Sequence, residues 1–169
     1  PEPYKGKGVK YSDERIIKYA SENLISIKID AEKGSGPEQK KKYRVRGYPT
    51  ILLLDSFGNE IDRIVGYRPP DEFMAELVRI ESGTNTLSSL QSKYLRNMDD
   101  PSLELTLVEK YIDLNVRDSA EKHLKNALQY YEQENEFTFQ NIFNISQLYY
   151  RIGSVDVSIE LLDKIVEND

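Results

Sequence analysis

The sequence predicts an α/β domain followed by an all-helical one. Three observations carry this. Apolar spacing switches between helical and strand-like periods up to Glu81, a Ser82-Gly83-Thr84-Asn85 break follows, and beyond it only helical spacing remains. A chain of 169 residues suits two small domains better than one large one.

The opening residues, 1–11, hold two prolines, two glycines and three lysines without a β-branched run, and read as a flexible arm. Ser12, Asp13 and Glu14 have the character of a helix start, and Ile16, Ile17, Ala20 and Leu24 follow at helical spacing, with the helix ending near Asn23. Ile25, Ile27 and Ile29 then alternate with Ser26, Lys28 and Asp30, which predicts a strand over Leu24–Asp30. Gly34, Ser35 and Gly36 break the chain, and Pro37 opens a short helix that ends near Arg44. The apolar run Ile51–Leu54, a turn at Ser56-Phe57-Gly58-Asn59 and a second run Glu60–Val65 predict an antiparallel hairpin. Gly66, Arg68, Pro69 and Pro70 punctuate again before a helix whose stripe is Phe73, Leu77 and Ile80.

Past the break, five helices are expected. Leu87, Leu90, Tyr94 and Leu95 mark the first, and Pro101 opens a second carrying Leu103, Leu107, Val108, Tyr111 and Leu114. Ala120, Leu124, Ala127, Leu128 and Tyr131 mark a third, Ile142, Ile145, Leu148 and Tyr149 a fourth, and Ile159, Leu162, Ile165 and Val166 a fifth. Leu107, Tyr111, Ala120, Leu124 and Ala127 align with Ile145, Tyr149, Ser158, Leu162 and Ile165 at a constant offset of 38 residues. This spacing, with Gly153 four residues after Tyr149, resembles a degenerate tetratricopeptide repeat; Asn115 stands where the first repeat would have its glycine.

Composition removes several function classes. A net charge of −6 disfavours a nucleic-acid partner, and zero cysteines leave no disulfide, thiolate nucleophile or thiolate metal site in these residues. No apolar stretch approaches the ~20 residues of a membrane helix. Neither a phosphate loop nor a paired-carboxylate motif is present, and no cofactor or metal is expected. His123 is the single histidine and reads as a solvated helix position. Lys40, Lys41, Lys42, Arg44 and Arg46 read as solvated charge, and the 12 tyrosines as packing residues with a wet hydroxyl.

The run Lys42-Tyr43-Arg44-Val45-Arg46-Gly47-Tyr48-Pro49-Thr50-Ile51-Leu52-Leu53-Leu54, with Gly58 in the turn and Gly66 before the last helix, resembles the cis-proline segment of the thioredoxin-like superfamily. Tyr11–Ile16 and Ile27–Asp30 are similar to its bacterial thiol:disulfide interchange branch. The resemblance covers residues 12–82, with 83–169 as the tetratricopeptide-like region. It implies a substrate-binding loop at Tyr48, Pro49 and Thr50, with Gly47 and Gly66 as structural turns and a protein or peptide as substrate. It also implies that a strand and a Cys-x-x-Cys segment precede this stretch, the strand lying between Leu24–Asp30 and the hairpin. Without that strand, unpaired backbone groups would each cost on the order of 1–3 kcal/mol if buried.

Two functions therefore stand open. One is a thiol:disulfide oxidoreductase whose reactive pair lies outside these residues, which are redox-inactive by themselves. The other is a non-catalytic peptide-binding or scaffolding protein that uses the same groove and the helical repeats. The bacterial branch implies a periplasmic or secreted setting and leaves the cytoplasm open; a partner protein on the helical unit is a further expectation.

Overall fold

The computed structural model describes residues 13–97, 100–134 and 136–167. The arm at 1–11 and the part played by Ser12 lie outside them. The chain divides into two compact units, Pro1–Thr86 and Leu87–Asp169.

In the first unit α1 spans Glu14–Asn23, α2 Gly36–Lys42, β1 Thr50–Leu54, β2 Glu60–Val65 and α3 Pro70–Glu81. Asp13 caps α1, its carboxylate accepting the Arg15 backbone N–H at 3.0 Å. The hairpin turn is shaped by Asp55, whose side chain accepts from the backbone N–H of Phe57 and of Asn59, while Gly58 takes the left-handed conformation at φ 79°. Pro70 at the start of α3, Asp71 and Glu72 in its first turn and Arg79 in its last match the polarity of the helix dipole.

Register sets what each face of the hairpin does. Ile51 pairs with Ile64 and Leu53 with Asp62, and Ile51, Leu53 and Ile64 pack with Phe73, Leu77 and Ile80 of α3 and Ile16 of α1. Between Leu53 and Leu54 the register slips, so that Leu54 pairs with Glu60 and Ile61 becomes the extra residue of a bulge. The slip brings Glu60 and Arg63 to one face, where the Arg63 guanidinium grips the Glu60 carboxylate and donates to the Tyr43 carbonyl at 2.7 Å. On the opposite face Asp62 is fully buried, and the Arg79 guanidinium donates to it at 2.8 Å. A buried charge is tolerated when it is paired in this way.

One expectation needs correcting. Leu24–Asp30 forms no strand, and the sheet among the described residues has two strands, β1 and β2, without a parallel partner beside them. Leu24 is extended, at φ −131° and ψ 148°, and the whole segment is exposed, Ile25 at 94%, Ile27 at 78% and Ile29 at 49%, along with the polar residues between them. Alternating residue types make a segment fit for a sheet. The ladder itself requires a neighbour at about 4.8 Å.

Among the described residues the second unit holds five helices: α4 Leu87–Arg96, α5 Pro101–Asp113, α6 Arg117–Gln133, α7 Phe139–Arg151 and α8 Val155–Glu167. α5 packs on α6 and α7 on α8 as antiparallel neighbours joined by short turns, and α4 lies against α5. Leu107, Val108, Ala120, Leu124, Ala127, Ile142 and Ile145 are its most deeply buried apolar residues. The two pairs repeat structurally: α5 and α7 begin 38 residues apart, at Pro101 and Phe139, as do α6 and α8, at Arg117 and Val155.

Their turns repeat bond for bond. Asn115 N–H donates to the Ile112 carbonyl and Val116 N–H to that of Tyr111, just as Gly153 donates to Tyr150 and Ser154 to Tyr149. Asn115 at φ 56° and Gly153 at φ 80° fill the same left-handed position, which asparagine tolerates better than most residues. In α8 the buried stripe runs through Ser158 and Leu161, whereas Ile159 and Val166, expected to face inward, are 52% and 76% exposed. α8 carries two adjacent apolar stripes, and helical spacing alone does not say which one meets α7.

Candidate functional site

The residues singled out from sequence come together at the head of β1. The Tyr48–Pro49 peptide bond is cis. Thr50 Oγ1 donates to the Gly47 carbonyl at 2.7 Å, which closes the corner before the strand begins. From the adjacent end of β2, Gly66 N–H donates to the Pro49 carbonyl at 2.9 Å, with Gly66 at φ 79°, a conformation a side chain would resist. Pro49 and Thr50 are half-buried, while the Tyr48 ring stands out, 56% exposed.

Two neighbours of this corner had no signature in the local spacing. Lys40 Nζ lies 5.4 Å from the centroid of the Tyr48 ring, and the Tyr48 side chain holds the ammonium above the usual lysine value through a hydrogen bond. Arg68, two residues past Gly66, places Nη1 about 4.0 Å from where a Cβ on Gly66 would stand. The corner is thus an exposed aromatic and a turn flanked by two cations. It exposes backbone and ring surface but no thiol nucleophile, since the 169 residues contain no cysteine. Among the described residues no group of three or more His, Cys, Asp and Glu side chains is placed to hold a metal ion.

Residues 12–81 match the family of thioredoxin-like domains. The match spans α1, α2, the hairpin and α3 of the thioredoxin-like domain and stops short of the helical unit. No curated protein matches the chain.

The helical unit holds a second cluster, and here the sequence reading is overturned. His123 is 7% exposed, not solvated, and its Nδ1–H donates to Glu104 Oε2, itself only 4% exposed. Asn126 Nδ2 donates to the other Glu104 oxygen at 3.1 Å. The imidazole stacks on Tyr111, with centroids 5.4 Å apart, and meets the edge of Tyr94 at 5.1 Å; Gln91 Nε2 donates to the Tyr111 hydroxyl at 2.8 Å. His123, Glu104, Asn126, Tyr111 and Gln91 each have a side-chain partner within this cluster, which makes it a packing and polar-pairing centre. Glu104 and His123 are 19 residues apart on different helices, so no local spacing announces their contact. A shallow hollow of about 330 Å³ lies on α6, lined by Asp118, Glu121, Lys122, Lys125 and Asn126, two acids facing two bases.

Proposed function

We propose that this polypeptide acts in thiol–disulfide exchange on proteins, with the Tyr48–Pro49–Thr50 corner as the surface that receives an extended substrate segment. The observation that carries the reading is the placement of that exposed corner, closed by Thr50 and Gly66, inside a domain that matches the thioredoxin-like family. The chemistry, attack of a thiolate on a disulfide through a mixed disulfide, needs a cysteine pair. With no cysteine among these 169 residues, that pair has to be supplied by polypeptide outside them. What the present residues contribute is positioning. Tyr48 and Thr50 offer backbone groups to the substrate, and the half-buried Pro49 fixes the corner that offers them. The exposed alternating face of Ile25, Ile27 and Ile29 supports the same reading, because it has the pattern of a strand whose neighbour lies elsewhere.

The test is insulin reduction by the protein with its natural N-terminus, set against the 169-residue chain. Turnover by the protein with its natural N-terminus and none by the 169-residue chain supports the proposal. Inactivity of both favours the second reading, a non-catalytic peptide-binding or scaffolding protein. That reading draws support from the helical unit, whose two helix pairs, offset by 38 residues with matching turns, we take as tetratricopeptide-like. Stacked pairs of this kind offer a surface for a partner protein, and a pull-down by residues 83–169 tests it.

A further inference from the structure

We propose that the segment accepted at the Tyr48–Pro49 corner is acidic, selected by Lys40 and Arg68 beside it. The inference rests on the reading of that corner as a peptide-binding surface and adds the chemistry of what binds.

Residues 39–54 contain five cations, Lys40, Lys41, Lys42, Arg44 and Arg46, and no Asp or Glu, in a chain of net charge −6. The loop Gly66-Tyr67-Arg68-Pro69-Pro70 is likewise free of acids. A charge run on a short helix is ordinarily just a solvated face. The fold gives this one a direction. α2 carries Lys40 to the Tyr48 ring, and the hydrogen bond from Gly66 to Pro49 ties the loop that bears Arg68 to the same corner.

Asp71, next after the loop, is engaged by Arg15 at 2.8 Å, and Glu32 adds only a weak attraction to Lys40. Tyr48 and Tyr67, 56% and 55% exposed, supply aromatic surface beside the two cations. Rings flanked by cations suit a strand-like peptide that alternates apolar and carboxylate side chains, since alternate residues of an extended chain point to opposite sides. Lys40, Lys41 and Arg68 are all exposed, so the attraction acts through water and is screened by salt, with a Debye length of about 8 Å at physiological ionic strength. Each exposed pair then contributes up to about fivefold in affinity.

The experiment uses the whole chain and two labelled ten-residue peptides of the same apolar pattern, one with Asp and Glu at the alternate positions and its twin with Asn and Gln. Fluorescence anisotropy at low salt is expected to show the acidic peptide binding about tenfold more tightly, a gap that closes at high salt. Lys40→Glu with Arg68→Glu is expected to abolish the preference, and Lys40→Gln with Arg68→Gln to reduce it. Lys18→Glu with Lys122→Glu, both exposed, on α1 and α6, serves as a control of equal charge change and should leave it intact. Equal binding of the twins overturns the acidic preference while leaving the peptide-binding reading in place. Binding of neither peptide overturns both. An oligothymidylate of matching charge that binds as tightly as the acidic peptide also overturns the proposal, because the surface would then select polyanions of any kind.

Discussion

Replacing His123 by leucine tests the buried pair in the helical unit directly. Leucine fills most of the space of the imidazole, so little cavity forms, and the dominant effect falls on Glu104. That carboxylate, 4% exposed, keeps the Asn126 amide at 3.1 Å and loses its other partner. Breaking a buried pair from one side costs about 3–5 kcal/mol, and the surviving amide places this case near the lower end, at about 3 kcal/mol. Loss of the stacking on Tyr111 and of the Tyr94 edge contact adds about 0.5–1.5 kcal/mol. Urea unfolding followed by far-UV circular dichroism should register this as a midpoint lowered by about 1–4 M, given slopes of about 1–3 kcal/mol per molar. Glu104→Leu combined with His123→Leu removes the buried charge together with its partner and should fall within about 1 kcal/mol of the parent. The two single changes would then be strongly non-additive. A His123→Leu cost below about 0.5 kcal/mol, or a double variant as unstable as the sum of the singles, would refute the reasoning.

Three further outcomes are expected. Gly36→Ala would place a Cβ 1.8 Å from the Asp30 carbonyl oxygen, and because the obstacle is backbone it should cost about 3 kcal/mol or more in urea unfolding. At the paired turns, Gly153→Ala at φ 80° should destabilise by about 1–2 kcal/mol, whereas Asn115→Gly at φ 56° should be neutral or slightly stabilising; a thermal melt of each variant separates them. Asp100 caps α5 through the Ser102 hydroxyl at 2.7 Å and the Ser102 N–H at 2.9 Å, and the Ser102 hydroxyl, with those backbone donors, holds its carboxyl below the usual 3.8. A carboxyl depressed by folding contributes stability above its unfolded value and loses it as pH falls through the folded one. Asp100→Asn should therefore flatten part of the acid side of a stability-against-pH curve and leave its neutral side with the same slope.

The hairpin and the helices were legible because their signals are local. Turn residues at Ser56–Asn59, prolines at 37, 70 and 101 and apolar stripes each act within a few residues, and the 38-residue offset was legible because it repeats two such local patterns, which returned as matched turns. The corner at Gly47–Thr50 and Gly66 was legible as a set of residues through its resemblance to a family. Lys40 against Tyr48, Arg68 beside Gly66 and Glu104 on His123 were not, for each joins side chains from different elements whose distance is set by packing. Leu24–Asp30 shows the same limit from the other side. Its alternation of isoleucine and polar residues is written in the chain, yet a strand exists only where another backbone meets it, and that is a property of the assembled sheet.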